Sequence, residues 1–312
     1  MNQRKAIVLA GLVILFWSTV ASAFKMALAE MTPVLLVTIA SLITLIIASI
    51  ALVATDGFGE MFRLFGDKKA LAEGALFGVI NPFFYYIILF KAYSLLPAQI
   101  TQPLNFSWQV ILVIMLSIVY RQRLKTKEII GVLISYAGVI VLSTNNSVVE
   151  GGTLSIAGIV LTITSTFLWA GYWVLRLKSK LDSIPGLFMN FFFGSLYLVV
   201  LILIYPESIE FEGRSIFSGD YPSWRAMFTA LYVGVFEMGI TFILWGKALK
   251  LAVNKVQLTQ LTYLCPVLSL FFILIILKEQ INIFTIFGLF MIIAGLIVGQ
   301  NNRFLKKRAV KE

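Results

Sequence analysis

A single carboxylic acid lies deep inside an apolar stretch near the middle of the second half of the chain. Glu237 stands ten residues, or about 15 Å of helix, before the next basic residue, Lys247. A carboxylate in hydrocarbon is costly, so Glu237 is expected to face a cavity or a partner. It can hold a proton there, or stay ionised and pair with an amine. The alternative is a buried structural acid bonded to a neighbouring helix.

Asn81 occupies the position that corresponds to Glu237 in an internal repeat, and Pro82 follows it. Tyr85 lies one helical turn after Asn81 and Thr241 one turn after Glu237, so each pair shares a helix face. Pro82 can open the helix and free a carbonyl group. A pair related in this way near the middle of the membrane predicts a substrate site, with Glu237 as the proton-coupling residue. A plain kink without a transport role is the alternative for Pro82.

Further amides and aromatic side chains recur at helical spacing. Such groups suit a pocket for small amphipathic molecules, with apolar walls and a few orienting polar groups. The aromatic residues could equally pack in the core or mark the lipid interface, which is the expectation for Tyr172 and Trp173. The candidates are Thr101, Asn105 and Trp108 at i, i+4 and i+7, Gln260 and Tyr263 at i and i+3, and the tryptophans Trp17 and Trp169.

The elements that must position these residues are membrane-spanning helices. Hydrophobic residues make up 60% of the chain and the mean hydropathy is +0.95, whereas soluble domains are about 45–50% apolar. A helix needs about 20 apolar residues to cross a bilayer. The fold class is therefore an all-α membrane protein with ten transmembrane helices. Their expected ranges are 5–24, 33–55, 70–90, 98–120, 128–144, 154–175, 185–205, 223–246, 254–277 and 281–300.

The second half of the chain repeats the first. Residues 78–92 align with 234–248 at a shift of 156, and 131–138 align with 288–295 at a shift of 157. Each half carries five spans, an odd number, so the two copies are expected in opposite orientations. Inverted repeats are the architecture of alternating-access transporters. The expected divisions are a first five-helix repeat at 1–146, a second at 153–302 and a basic cytoplasmic tail at 303–312.

The formal net charge of +10 is a topology signal and does not indicate nucleic-acid binding. The basic residues concentrate in the loops of one side, which predicts that this side and both termini are cytoplasmic. We therefore expect a multi-pass protein of the cytoplasmic (inner) membrane, with the lipid bilayer and a small-molecule substrate as its partners. Five basic residues fall on the opposite side: Lys25, Lys91, Arg214, Arg225 and Lys278.

The inventory of reactive side chains argues against other functions. The chain has one cysteine, Cys265, and no histidine, so we expect neither an internal disulfide nor a metal site, and no cofactor. A membrane enzyme needs convergent acids, bases or metal ligands at one depth, and essentially one deep carboxylate is present. A channel would need a continuous polar stripe or charged rings, and the sequence shows neither. The prediction is a protein that is not an enzyme.

Three pairs of duplicated motifs carry a family resemblance over essentially the whole chain. Through them the chain resembles the EamA-type, ten-span branch of the drug/metabolite transporter superfamily. The resemblance implies that spans 1, 3, 4, 6, 8 and 9 line the path and that spans 5 and 10 are peripheral. The motifs are Phe16-Trp17-Ser18 with Leu168-Trp169-Ala170, Lys91–Ala98 with Lys247-Ala248-Leu249, and Tyr136-Ala137-Gly138-Val139 with Ile293-Ala294-Gly295-Leu296.

Spans 5 and 10 carry small residues, Gly131, Gly138, Gly288 and Gly295. These are expected to let helices approach closely, within the protein or between protomers. A monomer and a homodimer are both compatible with them.

A shorter motif bears on the substrate. Asn105-Phe106-Ser107-Trp108 resembles the Asn-Tyr-Leu-Trp run of aromatic amino-acid exporters, although Gln109 stands where those proteins carry proline. The expected function is export of an amino acid or a related amphipathic metabolite. The alternative is export of cationic drugs or amines with Glu237 as counter-charge; a channel or a non-transporting membrane protein is less favoured. Lys91 and Lys247 are expected to snorkel to opposite interfaces, with gating as the alternative.

Overall fold

The structure is a computed structural model of the chain. It describes residues 2–119, 121, 126–143, 154–176, 178–214, 216–253, 258 and 261–299. These residues form fourteen α-helices, with wider π-helical turns inside some of them and short 3₁₀ turns in the loops. The α-helices are α1 Gln3–Leu28, α2 Pro33–Asp56, α3 Phe58–Gly66, α4 Lys68–Gly78, α5 Tyr85–Leu95, α6 Ala98–Phe106, α7 Trp108–Val119, α8 Thr126–Ser143, α9 Ile156–Arg176, α10 Ser183–Ile204, α11 Trp224–Tyr232, α12 Ile240–Leu251, α13 Leu264–Phe272 and α14 Ile283–Gly299.

Local sequence sets several helix starts. Asn2 precedes α1 and its side chain accepts a hydrogen bond from the Lys5 N–H at 3.0 Å. Thr32 caps α2 in the same way, and Pro33 at the first position needs no N–H partner. Ser223 caps α11 through the Ala226 N–H. These polar caps satisfy amides that would otherwise be left without partners where the apolar helices begin.

Seven helical segments of the described chain are long and apolar enough to cross a membrane. Apolar side chains cover their outer faces: Ile46, Ile50 and Leu203 are all at least 60% exposed, as expected where lipid replaces water. The chain is therefore a multi-pass membrane protein. The segments are Gln3–Leu28, Pro33–Asp56, Lys68–Leu95, Ala98–Val119, Ile156–Arg176, Ser183–Ile204 and Trp224–Leu251, and two shorter apolar segments are Leu264–Leu277 and Ile283–Gly299.

Two of the long segments are interrupted at repeat-equivalent places. Between α4 and α5 a wide turn covers Val79–Phe84, where Asn81 has the extended dihedrals φ −143° and ψ 115°. Between α11 and α12 a second wide turn covers Val233–Gly239. Interruptions of this kind release backbone carbonyls, and at membrane depth these need new partners. The Thr44 hydroxyl of α2 supplies one by donating to the Gly234 carbonyl at 2.9 Å.

Helices α8 and α14 pack backbone against backbone along a row of glycines. A Cβ atom on Gly131 would overlap the Gly295 carbonyl oxygen, and a Cβ on Gly138 would lie 2.6 Å from the Gly288 carbonyl oxygen. The Ser135 hydroxyl donates to the Ile292 carbonyl at 3.1 Å between them. Of the two contacts expected for these glycines, the structure thus shows the one within the protein.

The largest core cluster joins helices from both halves of the chain around bulky aromatic residues. Phe24 of α1, Tyr86 and Phe90 of α5 and Phe191 of α10 are at most 2% exposed. Phe24 contacts Phe90 with ring centroids 4.8 Å apart. This packing holds α1 against α5 of the first interrupted segment, and α1 also packs on α11 and α12 of the second.

Candidate substrate site

Glu237 lies in the wide turn between α11 and α12, where its side chain is half-buried. Its carboxylate accepts a 3.1 Å hydrogen bond from the hydroxyl of Tyr86, a fully buried residue of α5. None of the ion pairs found between described residues includes Glu237. The carboxylate is therefore held by one neutral donor from the other half of the chain, and it has acceptor capacity for a ligand.

The main chain at Glu237 is fixed by two side chains. Trp17 of α1 donates from Nε1 to the Glu237 carbonyl at 3.3 Å, and the Thr241 hydroxyl donates to the same oxygen at 2.7 Å. Thr241 is fully buried. In this conformation both residues therefore orient the turn that carries the carboxylate, because they satisfy a carbonyl that the interrupted helix leaves free.

Aromatic rings form the walls around this turn. The Trp17 ring lies 5.9 Å from Trp245 and meets Phe242 edge-on at 6.4 Å. On the other side of Phe242, the Trp169 ring of α9 meets it edge-on at 5.9 Å. Trp17 and Trp169, which have matching positions in the two halves, are thus linked through Phe242. Ring faces of this kind attract cations as well as apolar groups.

Trp169 also contacts residues of the first half. It stacks on Tyr85 with centroids 4.6 Å apart and meets Trp108 edge-on at 6.4 Å. The Tyr85 hydroxyl donates to Asn105 Oδ1 at 3.4 Å, and Asn105 Nδ2 donates to the Ser165 hydroxyl at 3.0 Å. The structure therefore brings four of the candidate residues, Tyr85, Asn105, Trp108 and Trp169, into one network.

Asn81 belongs to a second polar group beside this network. It is fully buried, and within the described part of the chain neither carboxamide atom has a hydrogen-bond partner, although the Tyr172 hydroxyl faces it. Asn190 of α10 donates to that hydroxyl at 2.9 Å. Tyr172 in turn stacks on Trp169 at 5.6 Å. Asn81 therefore lies beside Tyr172, whose ring contacts the aromatic network of Trp169 and Phe242.

The interfacial position expected for Tyr172 is wrong, since only 4% of this residue is exposed. The physical reason is helical spacing. Tyr172 follows Trp169 by three positions, so both rings lie on the inward face of α9. Asn190, by contrast, is absent from the sequence prediction. A buried amide in the middle of the apolar helix α10 was the signal that could have found it.

The structure gives less information about the remaining candidate residues. Gln260 lies outside the described residues, and Tyr263 ends the short turn Leu261–Tyr263, with its side chain outside the described set. The Thr101 hydroxyl bonds its own helix at the Pro97 carbonyl, 3.0 Å away. Lys91 and Lys247 are exposed. The expectation that these lysines anchor the helix ends stays a prediction.

Comparison with known proteins identifies the family. The sequence profile of the EamA-like transporter family matches residues 4–144 and again residues 156–298. The chain belongs to this family. This family is part of the drug/metabolite transporter superfamily.

Several relatives are themselves described only as uncharacterized transporters. One from Clostridium kluyveri is 25% identical over 189 residues, which cover 59% of this chain and 57% of that protein. The chain thus spans little more than half the length of that relative. YvbV of Bacillus subtilis is 24% identical over 99% of this chain and 96% of its own length. A solved crystal structure covers all of both chains at 19% identity with a TM-score of 0.65, which shows the same fold.

Proposed function

We propose that this EamA-family transporter moves a small organic molecule by alternating access through a central site built on Glu237. The observation that carries the proposal is the hydrogen bond from Tyr86 to Glu237. It joins Glu237 to a helix of the first half, and Trp17, Phe242 and Trp169 form a series of edge-on ring contacts near the same turn. An intramembrane acid in such a setting marks a substrate or proton path by default.

The proposed architecture is ten spans in two inverted repeats, 1–146 and 153–302, with both termini in the cytoplasm. The glycine contacts support it. Gly131 corresponds to Gly288 and Gly138 to Gly295 in the repeat, and Gly131 packs on Gly295 while Gly138 packs on Gly288. A twofold axis in the membrane plane produces such reciprocal contacts. Reporter fusions that test sidedness after Gly66 and after Gly213 should fall on opposite sides of the membrane.

The chemistry of the site favours a cargo that carries an ammonium group. Glu237 supplies a negative charge, and Trp17, Trp169 and Phe242 supply ring faces and edges beside it. An amino acid or a related amphipathic metabolite remains the first candidate, because Asn105 to Trp108 resemble a motif of aromatic amino-acid exporters. The same resemblance favours outward transport. A cationic amine is the second candidate, since this group of residues contains no basic side chain to bind a substrate carboxylate.

The Glu237 carboxyl group can also couple proton movement to cargo movement. If Glu237 binds either a proton or the ammonium group of the cargo, but not both, inward movement of protons can drive the cargo outward. This exchange needs no further titratable group at the site.

The experiment pairs a ligand screen with one substitution. The purified protein is heated with single amino acids, amines and, as uncharged controls, sugars, since a ligand that binds the native state raises the melting temperature. Each hit is then tested for flux in proteoliposomes. We expect Glu237→Gln to lower the affinity derived from the thermal shift, and the flux, at least tenfold, whereas Glu207→Gln in an exposed loop should leave both unchanged. Full flux by Glu237→Gln at every pH would remove Glu237 from the mechanism.

A further inference from the structure

The turn between α5 and α6 is held by a charged group on each side. On one side, Lys25 in the last turn of α1 donates from Nζ to the carbonyls of Tyr93, at 2.9 Å, and Leu96, at 3.1 Å. These carbonyls lie at the C-terminus of α5, where the helix dipole is negative. A cation there is favourable and satisfies acceptors that the helix leaves open.

On the other side, Glu279 binds the N-terminus of α6. Its two carboxylate oxygens accept from the N–H groups of Ala98, at 3.0 Å, and Gln99, at 3.1 Å. An anion at the positive end of a helix dipole makes charge-assisted hydrogen bonds. The Gln99 side chain continues the contact, because its Nε2 donates to the Gln280 carbonyl at 2.7 Å and its Oε1 accepts from the Thr285 hydroxyl at 3.2 Å.

These bonds join distant parts of the chain at one end of the bundle. Lys25 and the α5–α6 turn belong to the N-terminal half, whereas Glu279 lies between α13 and α14. Lys25 and Glu279 are half-buried and act on each other electrostatically. The end concerned is the one away from the N-terminus, since α1 begins at Gln3 and reaches Lys25 in its last turn.

We propose that Lys25 and Glu279 are gating residues, which close the central site towards this side of the membrane. The proposal rests on the alternating-access function above. Opening towards this side requires Glu279 to leave the N-terminus of α6. In the conformation described, the gate is closed.

The build of α6 explains why its N-terminus can act as a gate. The helix has nine residues, contains Pro103, and ends at Phe106 before α7 begins at Trp108. A proline and a break of this kind let a short helix tilt separately from the one that follows. Asn105, at the far end of α6, belongs to the candidate site. Release of Glu279 would therefore alter the site as well as the entrance.

A chemically similar cap elsewhere provides a matched control. Glu30, between α1 and α2, accepts from the N–H and the hydroxyl of Ser223, each at 2.8 Å, at the start of α11. Here α1 and α2 also pack directly along α11, so apolar contacts hold the same elements together. Removal of the Glu30 carboxylate should leave the gate at Glu279 unchanged.

The test measures the gate directly by electron–electron distance spectroscopy in lipid nanodiscs. Spin labels are placed on Ser94→Cys and Ile283→Cys, which are exposed on the two sides of the contact, in a Cys265→Ala background. The parent protein should give one predominant short distance. We expect Glu279→Ala to raise the fraction with a longer distance roughly tenfold, as the loss of two charge-assisted hydrogen bonds predicts. Lys25→Met should act in the same direction and Glu279→Asp should largely restore the short distance.

The outcomes separate the gate from the transport function. The gate proposal is wrong if Glu279→Ala folds and its distances between the two spin labels match those of the parent and of the Glu30→Gln control. If Glu279→Ala does not fold, Glu279→Gln, which keeps one acceptor oxygen, must still give a partial shift or the proposal is wrong. If the distances shift as expected but no tested compound is transported, the gate stands and the proposed function fails.

Discussion

The Tyr86 hydroxyl of α5 donates a 3.1 Å hydrogen bond to Oε1 of Glu237, 151 residues away in the chain. Tyr86 is fully buried, whereas Glu237 is half-buried. The bond therefore orients the carboxylate from its buried side and leaves acceptor capacity for a ligand. It also couples the interrupted segment of one half to the segment that corresponds to it in the other. Removal of the Tyr86 hydroxyl leaves the charge of Glu237 in place. It therefore tests whether the orientation of the carboxylate matters separately from its charge.

We expect Tyr86→Phe to weaken substrate binding about tenfold or more, because a hydrogen bond to a charged group contributes about 1.5–3 kcal/mol. The measurement is a titration of the thermal shift with a transported compound, followed by initial flux at several concentrations. Tyr136→Phe, at a partly exposed position on α8, is the matched control and should behave as the parent. A binding constant within twofold of the parent for both variants would contradict an orienting role for Tyr86.

Trp169→Leu tests whether ring faces recognise a cation. We expect affinity for an ammonium substrate to fall about fivefold to 30-fold, since a desolvated cation–π contact is worth about 1–2 kcal/mol. Trp169→Phe should restore part of the affinity, because it keeps an aromatic face. Trp224→Leu, which alters a mostly exposed tryptophan of α11, should have no effect on binding. Equal losses for the leucine and phenylalanine variants of Trp169 would indicate packing rather than cation binding.

Gly295→Ala should destabilise the protein without changing the chemistry of the site. A Cβ atom there would overlap the Ser135 hydroxyl and the Gly131 carbonyl, and overpacking of a tight contact costs about 1–3 kcal/mol. Thermal unfolding in detergent measures the loss. Gly171→Ala on α9 is the control, because its Cβ would meet nothing within 4 Å, and it should be neutral or slightly stabilising. An unchanged melting temperature for Gly295→Ala would mean that the two helices are not in backbone contact.

The cap at Glu30 predicts a pH-dependent contribution to stability. The N–H of Ser223, and after it the Ser223 hydroxyl, hold the pKa of the Glu30 carboxyl below its usual value. A lowered pKa means that the folded state favours the ionised form. The contribution is therefore complete above the unfolded pKa of about 4.3 and is lost as pH falls through the folded pKa. Glu30→Gln should melt roughly 1–3 °C lower than the parent at pH 7, and this difference should shrink towards pH 3. If the difference in melting temperature between Glu30→Gln and the parent does not change with pH, the ionised form of Glu30 does not stabilise the cap.

Much of the helical framework was predictable, because crossing a bilayer demands long apolar runs. The expected span 185–205, for example, agrees within two residues with α10, Ser183–Ile204. The pairing of Asn81 with Glu237 also came from the repeat alone, and both fall in wide turns.

Contacts between distant segments were not predictable, since periodicity reports only which face of a helix is apolar. The bond between Tyr86 and Glu237 and the cap of α6 by Glu279 both join residues more than 150 positions apart. Tyr172 was misplaced for a related reason. Its polar tip suits an interface as well as a buried partner, and that partner, Asn190, lies on another helix.

The glycine contacts between α8 and α14 restrict where solutes can travel. The main chains of these helices touch, so the space between them has no room for even one water molecule along that row. Water therefore cannot enter between α8 and α14 along this row, and here the two helices support each other only by direct packing. A solute route of the kind proposed above must therefore lie outside this row of glycine contacts.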